Sequence, residues 1–175
     1  MKKIVRIVLC LGVVLLLTGC NSTKKETKKE ESKGKCKIKE CINLIGLKDN
    51  LEKVNEIIGF DGKKSKNNTY TWKLNSNEKV EVVFDNTNTI KIKIIDESIK
   101  SKKTSFNSYE KVEKQLKDGE KLTIEDLNKA FKAKGVLIEK TSTEEIYKWV
   151  DKEDSYLEAT INATDGKCYK INGMI

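Results

Sequence analysis

Five cysteines and no histidine limit the chemistry that this 175-residue chain can carry out. Cys36 and Cys41 are five positions apart, a spacing that does not fit a zinc half-site, so no metal site is predicted. A disulfide between them would fit an oxidising compartment. Two helical residues at this spacing have Cα atoms about 8–9 Å apart, too far for a bridge, so the bond requires a loop or a frayed turn. The bridged and the free states both stay open.

Catalysis has few candidate residues in this sequence. Without histidine the chain lacks the usual general base, metal ligand and triad member. Carboxylates are common, but no motif isolates a pair of them in an apolar pocket. The segment Ser98-Ile99-Lys100-Ser101 does not stand at the head of an apolar helix and is interpreted as linker. We therefore predict no enzymatic activity, no catalytic residue and no cofactor.

The N-terminus carries the most specific signal in the sequence. Three basic residues precede an uncharged apolar run over residues 7–17. This run is about half the length that spans a bilayer as a helix, which is typical of a signal peptide. The residues that end it, Leu17-Thr18-Gly19-Cys20, resemble the lipobox of bacterial lipoproteins at every position. In that family the cysteine thiol receives a diacylglycerol and becomes the first mature residue.

This resemblance implies a cellular location for the protein. We predict a lipoprotein signal peptide over residues 1–19, lipidation of Cys20, and a lipid anchor in the cell membrane on its extracytoplasmic side. Each buried methylene of a lipid chain contributes about 0.8 kcal/mol, so two or three chains hold a soluble domain without a spanning helix. The alternative is an ordinary signal peptide followed by a chance cysteine.

The positive charge is concentrated before the globular part of the chain. The net charge is +8, but residues 36–175 hold 26 basic and 24 acidic residues. Residues 20–35 are rich in lysine and contain no large apolar residue, which predicts a flexible tether. The positive charge of this tether either attracts it to an anionic lipid surface or only keeps it solvated. Because the excess charge lies outside the folded part, no nucleic-acid partner is predicted.

The rest of the chain is long enough to bury a core, and one helical pattern occurs in it twice. An amphipathic helix is predicted over residues 51–58 after an Asn50 N-cap, and another after a Thr123 N-cap. Each is followed by a glycine. A leading helix precedes each of them, clear over residues 109–119 and less regular over 37–45.

Alternation of apolar and polar residues predicts antiparallel strands with one buried face. The Tyr-x-Trp motif at 70–72 returns at 147–149, and the strand at 80–84 returns at 157–161. The two tryptophans share a face with apolar neighbours, so we interpret them as core residues rather than as ligand-stacking residues.

These elements predict an α+β fold of two tandem units, each a helix pair packed on one face of a three- to four-stranded antiparallel sheet. The first unit is assigned to residues 36–97, a linker to 98–107 and the second unit to 108–175. In the last strand the alternation places Tyr169 inside and Cys168 outside, as a free thiol.

The motifs of the two copies also resemble a known family. They are YTWK at 70–73, VEVVF at 80–84, YEKVEKQLKDG at 109–119 and YKW at 147–149. Over roughly residues 38–175 the pattern is similar to Gram-positive lipoproteins of unknown function that are built from tandem β-lactamase-inhibitor-protein-like repeats. A single unit of this kind is related to the small outer-membrane lipoproteins of the SmpA/OmlA type. The first copy departs from the pattern because its leading helix lacks a glycine-rich start.

The resemblance implies a binding protein that contacts its partner through the sheet face opposite the helices. The predicted binding face consists of Lys73, Glu81, Lys91, Lys148, Val150, Glu158, Thr160 and Lys170. This face is mostly charged and has no arginine, whereas tight interfaces favour Tyr, Trp and Arg at their centre. A solvated face without a partner is the alternative.

We therefore predict a membrane-anchored, non-catalytic protein-binding module with an unknown protein partner. Two alternatives stay open: a lipoprotein that binds a small molecule or a cell-wall ligand, and an inhibitor of a secreted enzyme. A small ligand would require a pocket, and a cleft between the lobes that is lined by more than charge would indicate one.

Replacing Cys20 by serine is expected to abolish lipid attachment, because the thiol is the group that receives the diacylglycerol. Cells fed an alkyne-labelled fatty acid should label the wild-type chain and leave the Cys20→Ser chain unlabelled. The matched control is Cys10→Ser, inside the predicted signal peptide, which should label normally. Equal labelling of the Cys20→Ser chain would show that the lipobox interpretation is wrong.

Overall fold

The structure is a computed structural model that describes residues 34–99, 104–151 and 155–174. Within these ranges four helices and eight strands follow one another: α1 (Ile38–Leu44), α2 (Leu51–Ile58), β1 (Lys63–Lys64), β2 (Thr69–Lys73), β3 (Glu78–Asp85), β4 (Asn88–Asp96), α3 (Tyr109–Lys117), α4 (Ile124–Ala130), β5 (Val136–Thr141), β6 (Glu144–Val150), β7 (Tyr156–Asn162) and β8 (Cys168–Met174). The predicted signal peptide, the lipidation site Cys20 and the tether up to residue 33 lie outside the described residues.

One continuous antiparallel sheet, with its strands in chain order from β1 to β8, replaces the separate sheets that we predicted. β4 pairs with β5, with Lys91 opposite Thr141 and Lys93 opposite Glu139. The predicted fold class, two tandem units each with its own three- to four-stranded sheet, is therefore wrong. The segment between β4 and β5 contains two helices, and no local pattern in the sequence predicts strand pairing across it.

Helices α2 and α4 begin where their capping residues predict. Asn50 Oδ1 accepts a hydrogen bond from the backbone N–H of Lys53 at 2.8 Å, and Gly59 ends α2 with a φ of 99°. Thr123 caps α4, and its side chain and that of Asp126 form a reciprocal capping box. The predicted leading helix of the first half is confirmed as α1.

Trp72 is locked against the chain between α2 and β2. Its indole packs so closely on Gly62 that a Cβ there would lie 2.4 Å from the Cε2 atom of the ring. The indole Nε1 donates to the Phe60 carbonyl and to Asn55 Oδ1, both at 3.0 Å. Asn55 Oδ1 also accepts from the Gly62 N–H at 3.0 Å, so one amide oxygen holds both partners.

A similar arrangement occurs at Trp149, where the indole N–H donates to a backbone carbonyl and, among the described residues, to no side chain. A Cβ on Gly135 would lie 2.5 Å from its Cζ2 atom, and its Nε1 donates to the Ala133 carbonyl at 3.0 Å. Asn128 Oδ1 accepts from the Gly135 N–H at 2.8 Å. Both tryptophans are at most 1% exposed, which confirms that they are core residues. We call each set of asparagine, glycine and tryptophan a tryptophan lock.

Each tryptophan lock lies in its own cluster of buried apolar residues, most of which lie between the helices and the sheet. The first cluster surrounds Trp72 and continues past β4 to Ile138 on β5. The second surrounds Trp149 and includes Phe131, whose ring meets the indole edge to face at 5.3 Å. Helix α1 contacts β3, β4 and β5, so it spans the line where the two halves of the sheet meet.

A bulge in the last strand pair overturns one prediction. Cys168 pairs with Ile161 and Lys170 pairs with Thr160, which leaves Tyr169 as an extra residue in β8. Cys168 is therefore 4% exposed in the second cluster, while Tyr169 is 52% exposed. The predicted placement of Cys168 outside and Tyr169 inside is wrong, because the bulge breaks the alternation that we extrapolated along the strand.

Adding a methyl group under either indole is expected to destabilise the fold. Gly62→Ala and Gly135→Ala should each lower the free energy of unfolding by about 1–3 kcal/mol, because the new Cβ would overlap the ring. Urea unfolding followed by far-UV circular dichroism measures the loss. In a Trp149→Phe background, Gly135→Ala should cost less, because the phenyl ring is smaller; an equal loss in both backgrounds would contradict the lock.

Candidate functional site

The sheet face opposite the helices is the candidate binding surface, and we call it the open face. Cross-strand register places Glu81 opposite Lys93 on β3 and β4. On β6 and β7 it places Lys148 opposite Glu158. The strands alternate between this face and the buried clusters, so the predicted charged residues from Lys73 on β2 to Lys170 on β8 share it.

Most of the predicted binding charges are paired with a neighbour on the same face. Lys91 forms an ion pair with Glu139 across β4 and β5. Lys148 Nζ lies 3.4 Å from Glu158 Oε1 and 4.4 Å from the centre of the Tyr156 ring. Because these charges neutralise one another, the open face presents little net charge along β4 to β7.

Two of the predicted face residues are covered. Val150 is 7% exposed and packs within the first apolar cluster, which also contains Ile99 from the segment after β4. Thr160 is 9% exposed in the middle of β7. The remaining predicted residues are half-buried or exposed; the structure brings Lys148 and Glu158 together across β6 and β7, whereas Lys91 lies on β4 beside Glu139.

A cleft of about 420 Å³ opens on this face where β4 and β5 separate; we call it the central cleft. The two strands pair only over Lys91–Lys93 and Glu139–Thr141, and β5 has a bulge between Leu137 and Glu139. The apolar part of its lining is Ile94, Ile95, Ile99, Ile138 and Ile146, and its charged part is Lys93, Asp96, Glu97, Glu139, Lys148 and Glu158. A smaller depression of about 150 Å³ shares part of this lining and extends it to Val150 and Tyr156.

The sequence-based prediction of the binding face missed the isoleucines of the central cleft. Ile95 lies two positions after Lys93 on β4, and Ile146 lies two positions before Lys148 on β6. Strand alternation therefore already placed both of them on the open face, and two apolar residues among outward lysines were the signal. The cleft itself could not be inferred, because it depends on the pairing of β4 with β5.

Cys36 and Cys41 are joined by a disulfide, with their Cα atoms 5.6 Å apart. α1 begins at Ile38, so the first cysteine lies in the bend before the helix, where the chain can bring the two sulfur atoms together. Both cysteines are at most 5% exposed and belong to the first apolar cluster. Cys168 is a free thiol, and burial raises the pKa of that thiol above its usual value.

Across residues 34–99, 104–151 and 155–174, no group of three or more His, Cys, Asp or Glu side chains is placed to hold a metal ion. The same residues contain no helix with the length and apolar character needed to cross a membrane. Protein-family models, curated proteins and solved structures were each compared with the chain, and none matched it.

Thiol counting is expected to separate Cys168 from the bridged pair. In urea without reductant, the chain from residue 21 onward should expose one alkylatable thiol, at Cys168. After reduction it should expose that thiol together with Cys36 and Cys41. Mass spectrometry of the peptides identifies each site, and Cys168→Ser is the control that should show no thiol before reduction. Alkylation of Cys36 and Cys41 without reductant would contradict the bridge.

Proposed function

We propose that this protein is a membrane-anchored extracytoplasmic lipoprotein that binds another protein through its open face, without catalysis. The observation that supports this most is the central cleft, where isoleucine side chains are surrounded by charged residues. The lipobox-like residues Leu17 to Cys20 support the anchored part of the proposal.

The composition of the central cleft fits the anatomy of a protein interface. Such interfaces have an apolar centre that excludes water and a polar rim that stays partly wet. Here the isoleucines supply the centre, and the ion pairs Lys91–Glu139 and Lys148–Glu158 supply part of the rim. Because both pairs are already formed within the chain, a partner that covers the cleft leaves few charges buried without a counter-charge.

The dimensions of the open face also fit a protein partner. Eight strands spaced about 4.8 Å apart make a surface roughly 35 Å wide, which can accommodate a typical interface of about 800 Å² per partner. The centre of the face lacks arginine, and its aromatic ring is the half-buried Tyr156, which already contacts the Lys148 ammonium group. We therefore expect moderate rather than very tight affinity.

A small-molecule ligand is the second candidate, and the central cleft meets the criterion stated for it above, because it lies between the two halves of the sheet and isoleucines line it beside the charged residues. A volume of about 420 Å³ lies within the roughly 300–1,000 Å³ range of ligand pockets, and apolar residues contribute to its lining. Ligand pockets bury most of a small molecule, whereas this cleft lies on an extended sheet face. The protein partner is therefore the first choice.

An apolar-to-charged change in the central cleft is expected to weaken capture of a partner. Beads carrying the chain from residue 21 onward would be offered envelope and secreted proteins of the native host, and retained proteins identified by mass spectrometry. Ile95→Lys should lower the affinity for a retained and then purified partner about tenfold or more, because it places a charge in the apolar centre.

The matched control for this experiment lies on the same strand. Ile90 is 46% exposed and does not line the central cleft, so Ile90→Lys should leave binding unchanged. Unchanged affinity in the folded Ile95→Lys chain would contradict the proposed site. Beads that retain no protein, with the chain shown to be folded, would shift the assignment to the small-molecule candidate.

A further inference from the structure

A second cavity lies away from the open face, and we call it the asparagine cavity. It has a volume of about 310 Å³ and shares no lining residue with the central cleft. Three chain segments bound it: the start of α2, the strands β1 and β2, and the end of β3 with the turn into β4. Its lining consists of Asn50, Leu51, Glu52, Lys64, Asn68, Tyr70, Phe84, Asn86 and Thr87.

An aromatic pair forms the apolar part of the asparagine cavity. The rings of Tyr70 and Phe84 meet edge to face, with centroids 5.5 Å apart and an interplanar angle of 85°. This contact holds the Tyr70 ring in place. The Lys64 ammonium group lies 6.0 Å from the Tyr70 centroid, at the outer limit of a cation–π contact, on a side chain that is exposed and free to move aside.

Three asparagine side chains and a threonine hydroxyl supply the polar part. Asn50 Oδ1 is occupied by the N–H of Lys53, which leaves its amide NH₂ as a donor. Asn68 and Asn86 both have left-handed backbones, with φ of 56° and 53°. The Asn68 carbonyl accepts from the Phe84 N–H at 3.1 Å, so the main chain there is fixed. Within the described part of the chain, neither of these two side-chain amides forms a hydrogen bond.

The charges and the strand pairing of the asparagine cavity narrow the class of ligand. One glutamate and one lysine line it, so it has no net charge with which to favour phosphate or another anion. β2 already pairs with β1 on one side and with β3 on the other, so an extended peptide cannot add to it as a further strand. The asparagine cavity therefore offers a ligand side-chain amides that both donate and accept hydrogen bonds, beside a fixed aromatic ring.

We propose that the asparagine cavity binds an uncharged saccharide with an acetamido substituent, one or two sugar units long. Sugar hydroxyl groups both donate and accept hydrogen bonds, which matches the amides of Asn68 and Asn86. The C–H face of a sugar ring packs against an aromatic ring such as Tyr70, and an acetamido group pairs with an asparagine amide. The cavity volume lies at the lower end of the range for ligand pockets, which fits one or two units.

Titration of the full-length chain, solubilised in detergent, with N,N′-diacetylchitobiose tests the proposal by isothermal calorimetry. Saturable binding is expected, and Asn68→Gly and Asn86→Gly should each weaken it about tenfold or more. Glycine adopts the same left-handed backbone, so each change removes the amide and preserves the turn. The matched control is Asn67→Gly. Asn67 has a φ of 54° but does not line the cavity, so the Asn67→Gly chain should bind the disaccharide with the wild-type affinity.

Further ligands define the chemical class and the source of the saccharide. Cellobiose, which lacks the acetamido group, should bind at least about tenfold more weakly, and inorganic phosphate should not bind. Retention of the chain on insoluble peptidoglycan, reversed by the free disaccharide, supports a glycan polymer as the source. Binding of the disaccharide without such retention supports a free sugar. Both results agree with the proposed class.

Three results would overturn the proposal. The first is no binding of the disaccharide to a chain that circular dichroism shows to be folded. The second is equal binding by the wild type, Asn68→Gly and Asn86→Gly. The third is binding that Ile95→Lys abolishes and the two asparagine variants do not, because the saccharide would then occupy the central cleft. The protein-binding proposal has its own test, the capture experiment described above, and this last result does not decide it.

Discussion

The fold depends on the contact between an indole ring and a glycine, which the chain makes twice. In each tryptophan lock the absence of a Cβ lets the ring fill the gap between helix and sheet, and a backbone carbonyl accepts the buried N–H. A buried indole whose N–H had no acceptor would lose much of what its apolar area contributes. The asparagine of each lock fixes the glycine backbone, so the helix end, the connecting loop and the strand are held at one point.

The two tryptophan locks are joined by the pairing of β4 with β5, and the central cleft arises from how short this pairing is. Elsewhere most neighbouring strands pair along much of their length, so little room is left between them. Here Ile94 to Asp96 and Val136 to Ile138 diverge, and apolar side chains become accessible from the open face. The site proposed for a partner is thus formed where the two halves of the sheet meet, by residues from both of them.

Local signals in the sequence predict much of this structure. They fail where a contact between residues far apart in the chain, or a bulge, determines the strand pairing. The capping residues Asn50 and Thr123 and the inward tryptophans depend on neighbours within a few positions, and they lie where the sequence places them. The joining of the two halves into one sheet depends on residues far apart in the chain, so two sheets were predicted instead of one. At Cys168 a single extra residue in β8 reversed the inside and outside positions. The outward charges of the candidate site were predicted, but their mutual pairing and the central cleft were not.

The short pairing of β4 with β5 also has a mechanical consequence. Apart from the pairing of the two-residue edge strand β1, the pairing of β4 with β5 is the shortest in the sheet, so we expect the sheet to bend most easily along the line between these two strands. Rotation of one half against the other about this line would change the width of the central cleft while both tryptophan locks stay intact. Helix α1, which contacts strands on both sides of the line, resists such rotation. We therefore expect a ligand or partner in the central cleft to change the angle between the two halves of the sheet.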